Sequence, residues 1–264
     1  MQVIISRCLK GSSLRSTQGQ NDIIQLGTKK ERKDATAIFV LVPGGYAGSW
    51  IWREIAKPLW RAGHEVYTPS LTGMGERVHL ATPEVNLSTH IQDVVLEITC
   101  SDLKEVILVG YSYSGMVVTG VAEQIPERIA QLVYLDAWVP EDGQSAGDLI
   151  GPEAGHMIMQ AVQVYGEGWK LIPDIPDPRL TLQPVQTGLE KLYVKNPAAA
   201  RLPRAFIYCT EGKTPDDLPM TRTAEKARSD PLWRYYEIAW GHLVVMEQPD
   251  LVTKVLMELA EWKG

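Results

Sequence analysis

Three cysteines, no long apolar run and no surplus of positive charge each remove a class of protein from consideration. Cys8, Cys100 and Cys209 are widely spaced, and no C-x-x-C pair occurs. That leaves neither a zinc ribbon nor a disulfide framework, and reduced thiols suit a reducing, cytoplasmic compartment. His64, His79, His90, His156 and His242 include no H-E-x-x-H and no paired spacing, so no metal is expected. No apolar stretch approaches the roughly 18 residues that span a bilayer, so no membrane partner is expected. Lys and Arg number 26 against 32 Asp and Glu, a net charge of −6, which argues against nucleic acid. What is present is ordinary for a globule: 45% apolar and 22% charged residues in 264, enough to bury a core unaided.

Residues 1–36 read as a loosely packed or disordered arm, with two short strands or a targeting peptide as alternatives. They hold scattered serines and no acidic residue before Asp22. From Ala37 to Gly264 the chain reads as one domain. The run AIFVLV (37–42) predicts a strand buried on both faces. A helix over 50–61, a short strand in HEVYTPS and a helix over 89–100 follow, the last with apolar residues at 91, 94, 95 and 98. Then come strand EVILVG (105–110), a helix over 115–124 and strand LVYLD (132–136). Strands alternating with helices predict an α/β fold with a mostly parallel sheet. Between about 139 and 203 the alternation stops, and eight of the 17 prolines fall there. That segment reads as an insertion over one end of the sheet. Strand AFIYC, a helix over 221–229, strand WRYYEI and a helix over 250–262 complete the pattern.

The chemistry is concentrated at strand ends. GYSYSG (110–115) lies between a strand and a helix, the context of the nucleophile elbow G-x-S-x-G, with Ser114 where a glycine is usual. The frame selects Ser112, because Ser114 falls in the first turn of the helix. His242 follows the last strand at the sheet edge where ligands bind, and supplies a base. Two carboxylates compete to orient it: Asp136, at the end of a strand, and Asp216 or its neighbour Asp217. The latter pair also reads as the acidic first turn of a helix. The loop VPGGYAGSW offers Gly45 as an oxyanion donor, with the Tyr113 amide as the second. It lacks the G-x-G-x-x-G spacing of a dinucleotide loop, and no cofactor is expected.

These segments together, VPGGYAGSWIW, LTGMGERVHL, VGYSYSGMV, LVYLDAWVPEDGQS and WGHLVVMEQP, resemble the α/β-hydrolase superfamily. The closest branch is that of bacterial small-ester hydrolases, plant methyl esterases and hydroxynitrile lyases. The resemblance covers Ala37 to the C-terminus. It implies the α/β-hydrolase fold with a helical lid, nucleophile Ser112, base His242 and oxyanion donors Gly45 and Tyr113. The lyases carry a threonine and a lysine where this chain has Gly44 and Leu243, which points to hydrolysis. The branch's usual acid position falls near Lys213, which this chain departs from, and LDAWVP, typical of the bacterial members, keeps Asp136 ahead of Asp216. An esterase working through an acyl-serine on a small apolar or aromatic ester or lactone is therefore expected. Gly44, Met74, Trp138, Tyr165, Trp169, Tyr193 and Leu243 are the candidate pocket residues. The alternatives are a slow-turnover ligand receptor on the same fold and a lyase, and a homodimer stays open.

Overall fold

The computed structural model describes residues 36–213 and 219–262. The expected N-terminal arm, apart from Thr36, lies outside the described residues, as do Asp216 and Asp217. The apolar run that opens the domain forms β1 (Ile38–Val42), buried at every position after the first. A 3₁₀ turn at Ser49–Trp52 leads into α1 (Arg53–Arg61), so the helix expected from Trp50 begins with a tighter turn. After β2 (Glu65–Tyr67) comes α2 (Leu87–Cys100), whose first turn is capped by Asn86 accepting the Thr89 N–H at 2.9 Å. Next are β3 (Val106–Tyr111), α3 (Ser114–Gln124) and β4 (Ile129–Leu135).

The proline-rich segment holds α4 (Ala146–Ile150), α5 (Pro152–Tyr165), β5 (Lys170–Leu171), β6 (Gln183–Pro184), α6 (Gln186–Leu189) and α7 (Pro197–Ala200). It is thus not purely helical: β5 and β6 pair antiparallel. Pro173, Pro176, Pro178 and Pro184 lie between α5 and α6, and their missing N–H groups exclude a helix there. The alternation resumes with β7 (Arg204–Cys209), α8 (Pro219–Ser229), β8 (Trp233–Ile238), α9 (Val244–Glu247) and α10 (Pro249–Ala260).

Six strands form one sheet in the order β2-β1-β3-β4-β7-β8, and every neighbouring pair is parallel. Alternate residues of each strand feed opposite faces. Val40, Val42 and Leu108 pack with the apolar sides of α2, α3 and α8. Phe39, Leu41, Ile107 and Val109 pack with those of α1 and α10. Because the strands run the same way, the loops after β1, β3, β4, β7 and β8 all emerge at one edge. Among the described residues no helix is long and apolar enough to cross a membrane.

Candidate active site

Ser112 sits between β3 and α3 at φ +55°, a left-handed conformation that costs a non-glycine residue energy. The surroundings hold it there. Its N–H donates to the Leu135 carbonyl at 3.2 Å, and its own carbonyl accepts from Gly115 and Trp138, each at 3.1 Å. The flanking glycines permit the turn. A Cβ at 110 would lie 2.6 Å from the Ser114 carbonyl oxygen, and one at 115 only 1.9 Å from that of Trp138. Ser114 is fully buried, and its hydroxyl donates to the Pro43 carbonyl, which ties the elbow to the loop after β1.

Two tyrosines brace the serine. Tyr113 donates its hydroxyl to His90 Nδ1 at 2.9 Å, while His90 Nε2 donates to the Thr72 carbonyl at 2.8 Å. Burial pushes the His90 imidazole down to about 4, so it stays neutral and fits that single-donor role. Burial, with the Asp136 charge, pushes the Tyr111 phenol up. The protonated hydroxyl donates to the His242 carbonyl at 2.6 Å, and the Tyr111 ring stacks on the imidazole at 5.1 Å between centroids.

His242 thereby faces Ser112, with Nε2 2.9 Å from the serine Oγ. Its Nδ1 lies 2.6 Å from Asp136 Oδ2, which assigns the ring proton to Nδ1 and leaves Nε2 to accept from the serine. Asp136 follows β4, is fully buried and has φ +43°. Its Oδ1 accepts the Cys209 N–H at 3.2 Å and the ammonium of Lys213, whose side chain is 5% exposed. Burial pushes the Asp136 carboxyl up, but the His242 contact and the Lys213 charge outweigh it and hold the acid below its ordinary range. Cys209 is no rival nucleophile, since burial and the Asp136 charge both push its thiol up.

Beside Ser112 the N–H groups of Gly45 and Tyr113 have no protein acceptor among the described residues. Tyr113 precedes the first turn of α3, so its N–H stands at the positive end of that helix. Ser112, His242 and both oxyanion candidates border a cavity of about 370 Å³. Its walls are chiefly apolar and include Ile51, Ile158, Met159, Leu171, Leu243 and Met246.

A family model described as Alpha/beta hydrolase family matches residues 39–255. The chain belongs to the alpha/beta hydrolase family. Its relatives place it among that family's esterase-type hydrolases. A carbendazim hydrolyzing esterase from Nocardioides sp. (strain SG-4G) is 35% identical over 243 residues, which are 84% of this chain and 99% of that one. A polyneuridine aldehyde esterase from Rauvolfia serpentina is 24% identical, covering 84% and 95% of the two chains. Among solved structures, an extracellular alpha/beta-hydrolase from a Paenibacillus species superposes with a TM-score of 0.73 at 26% identity. The match covers 84% of this chain and 98% of that one.

The hydrolase brings Ser112, His242, Asp136, Gly45 and Tyr113 together, and it lines the cavity with Gly44, Trp138 and Leu243. The other expected pocket residues are corrected. Met74 is fully buried in the core with Leu71 and Leu87. Tyr165, the last residue of α5, is 77% exposed, beyond the turns that carry Ile158 and Met159. Tyr193 is 60% exposed, with the Lys195 ammonium over its ring. Trp169 lies just before β5 with the Lys170 ammonium over its ring, outside the cavity lining. Aromatic side chains with polar or cation-paired faces tolerate the surface, so their presence in a loop-rich segment does not mark a pocket.

Sequence reasoning missed Tyr111 and Lys213, and the cavity-lining residues Tyr46 and Gln183. Tyr111 lies inside the elbow motif itself. Gly155, Ile158 and Met159, at helical spacing, were the legible sign of the α5 wall. The Lys213 pairing spans 77 residues and left no local signal.

Proposed function

We propose that the protein is a serine carboxylic ester hydrolase that acts through an acyl-serine intermediate on small apolar or aromatic esters. The observation that carries this reading is the unbroken relay from Ser112 Oγ through His242 to Asp136, beside two N–H groups that lack acceptors among the described residues. His242 Nε2 takes the Ser112 proton as Oγ attacks the ester carbonyl carbon. The Gly45 and Tyr113 N–H groups receive the developing oxyanion, each worth about 3 kcal/mol in the transition state. The imidazolium, steadied by Asp136, then protonates the departing alkoxide oxygen. A water, deprotonated by the same nitrogen, attacks the acyl-serine and releases the acid. Leu243, beside His242, supplies no cation to stabilise cyanide, which favours hydrolysis over the lyase reading.

The relatives' names, a carbendazim hydrolyzing esterase and a polyneuridine aldehyde esterase, agree with ester hydrolysis. The apolar walls and modest cavity favour uncharged substrates. Short-chain aryl esters and lactones test the reading, with Ser112→Ala as the control. Turnover should fall at least about 10⁴-fold in that variant with the fold intact. Undiminished turnover in Ser112→Ala would overturn it.

A further inference from the structure

Gln183 is a polar side chain of the cavity wall that the relay does not use. It lies in β6, 4% exposed, beside the oxyanion loop. The spacing of strand and loop is fixed, since the Thr181 N–H donates to the Tyr46 carbonyl at 2.9 Å and the Gly75 N–H donates to Thr181 Oγ1 at 2.8 Å.

The hydrogen bonds orient the amide. The Thr187 hydroxyl has one proton and gives it to the Pro184 carbonyl at 2.7 Å. Toward Gln183 it can therefore only accept, and the 2.8 Å contact must be made by Nε2. The other end of the amide, Oε1, then points at Gly45. A Cβ at position 45 would come within 2.6 Å of Oε1, so a side chain there would push the amide oxygen aside. That places Oε1 within about 5 Å of the Gly45 nitrogen. No described residue donates to it.

The structure assigns Gln183 the role of a specificity residue: its Oε1 accepts a hydrogen bond from an O–H or N–H carried on the atom next to the reacting carbonyl. This rests on the reading of Ser112 as an ester-cleaving nucleophile with Gly45 as an oxyanion donor. The substrate class it selects is esters with such a donor, of which α-hydroxy esters are the simplest. A carbonyl oxygen fixed in an apolar wall loses its water when a substrate binds. A donor on the substrate replaces that water, whereas an ether or a hydrogen leaves the acceptor unpaired. A site built around a buried polar group rejects the analogue that lacks the matching group far better than an apolar wall rejects an extra methylene.

Three esters separate this role from simple fit: ethyl mandelate, its α-methoxy ether and ethyl phenylacetate. The wild-type enzyme should favour mandelate over both the larger and the smaller analogue by about tenfold or more in kcat/KM. Gln183→Leu should bring the ratios to about one. Gln183→Glu keeps an acceptor in place and should retain the preference, while its charge lowers kcat on all three esters. Calorimetric titration of Ser112→Ala protein with the same esters should show the same order of affinity without any turnover. Equal rates on the three esters in wild type, or a preference that survives in Gln183→Leu, would overturn the assignment. Absence of turnover on all three would count against the hydrolase reading alone, and the Ser112→Ala affinities would still decide the role of Gln183.

Discussion

Asp136→Asn perturbs the relay at its most constrained point. The carboxylate accepts from Lys213 and the Cys209 N–H on Oδ1, and from His242 Nδ1 on Oδ2. An asparagine has one oxygen, which would stay with the two donors on the Oδ1 side, so its NH₂ would face His242. Two donors cannot pair, so the imidazole moves its proton to Nε2 and can no longer accept from Ser112. A wrong tautomer of this kind costs about 10⁴-fold in kcat, or about 5.5 kcal/mol of barrier. The same substitution strands the buried Lys213 ammonium, a loss of roughly 3–5 kcal/mol in stability. The double variant Asp136→Asn, Lys213→Met separates the two effects. Removing the stranded cation should recover most of the stability and none of the activity. The assay is kcat on p-nitrophenyl acetate per folded molecule, with the folded fraction taken from urea unfolding. Activity within tenfold of wild type in Asp136→Asn, or activity returning together with stability in the double variant, would refute the tautomer argument.

Three further perturbations probe the supports of the site. Ser114→Ala removes the donor to the buried Pro43 carbonyl and should lower stability by about 1–3 kcal/mol in urea unfolding; an unchanged midpoint would contradict that tie. Lys213→Met removes the cation that helps hold the Asp136 acid down and leaves that charge wholly to the imidazolium. The acidic limb of kcat/KM should therefore move upward, and an unmoved limb would remove Lys213 from the relay. His90 is lowered in the fold to about 4, against about 6.5 in an unfolded chain. Its contribution is complete above the unfolded value and is lost as pH falls toward 4, about 3 kcal/mol in all. Between pH 7 and 4 wild type should lose more stability than His90→Gln, and equal losses would contradict the assignment.

The parts legible in the sequence are those whose cause is local. β1, β3 and β4 are buried on both faces, so they read as unbroken apolar runs, and their spacing reveals the βαβ order. Ser112 was legible because its turn needs small residues at fixed offsets, and His242 because it follows a strand end. The strand-end position put Asp136 ahead of the Asp216–Asp217 pair, but its partners needed the third dimension. Asp136 meets His242 across 106 residues and Lys213 across 77. The cavity wall was the least legible part. Helix α5 offers Ile158 and Met159 to the cavity and leaves Met157 and Val164 exposed, a choice set by packing rather than composition. Gln183 carries no motif, and its meaning comes from the hydroxyl of Thr187 and the missing side chain of Gly45.

The central claim, that Ser112 is the nucleophile of a Ser–His–Asp relay, is tested most directly by a fluorophosphonate probe followed by peptide mapping in a mass spectrometer. The account predicts a single adduct on Ser112, formed in step with loss of esterase activity and slowed by His242→Ala. An adduct on Ser114, or full inactivation with Ser112 unmodified, would contradict it.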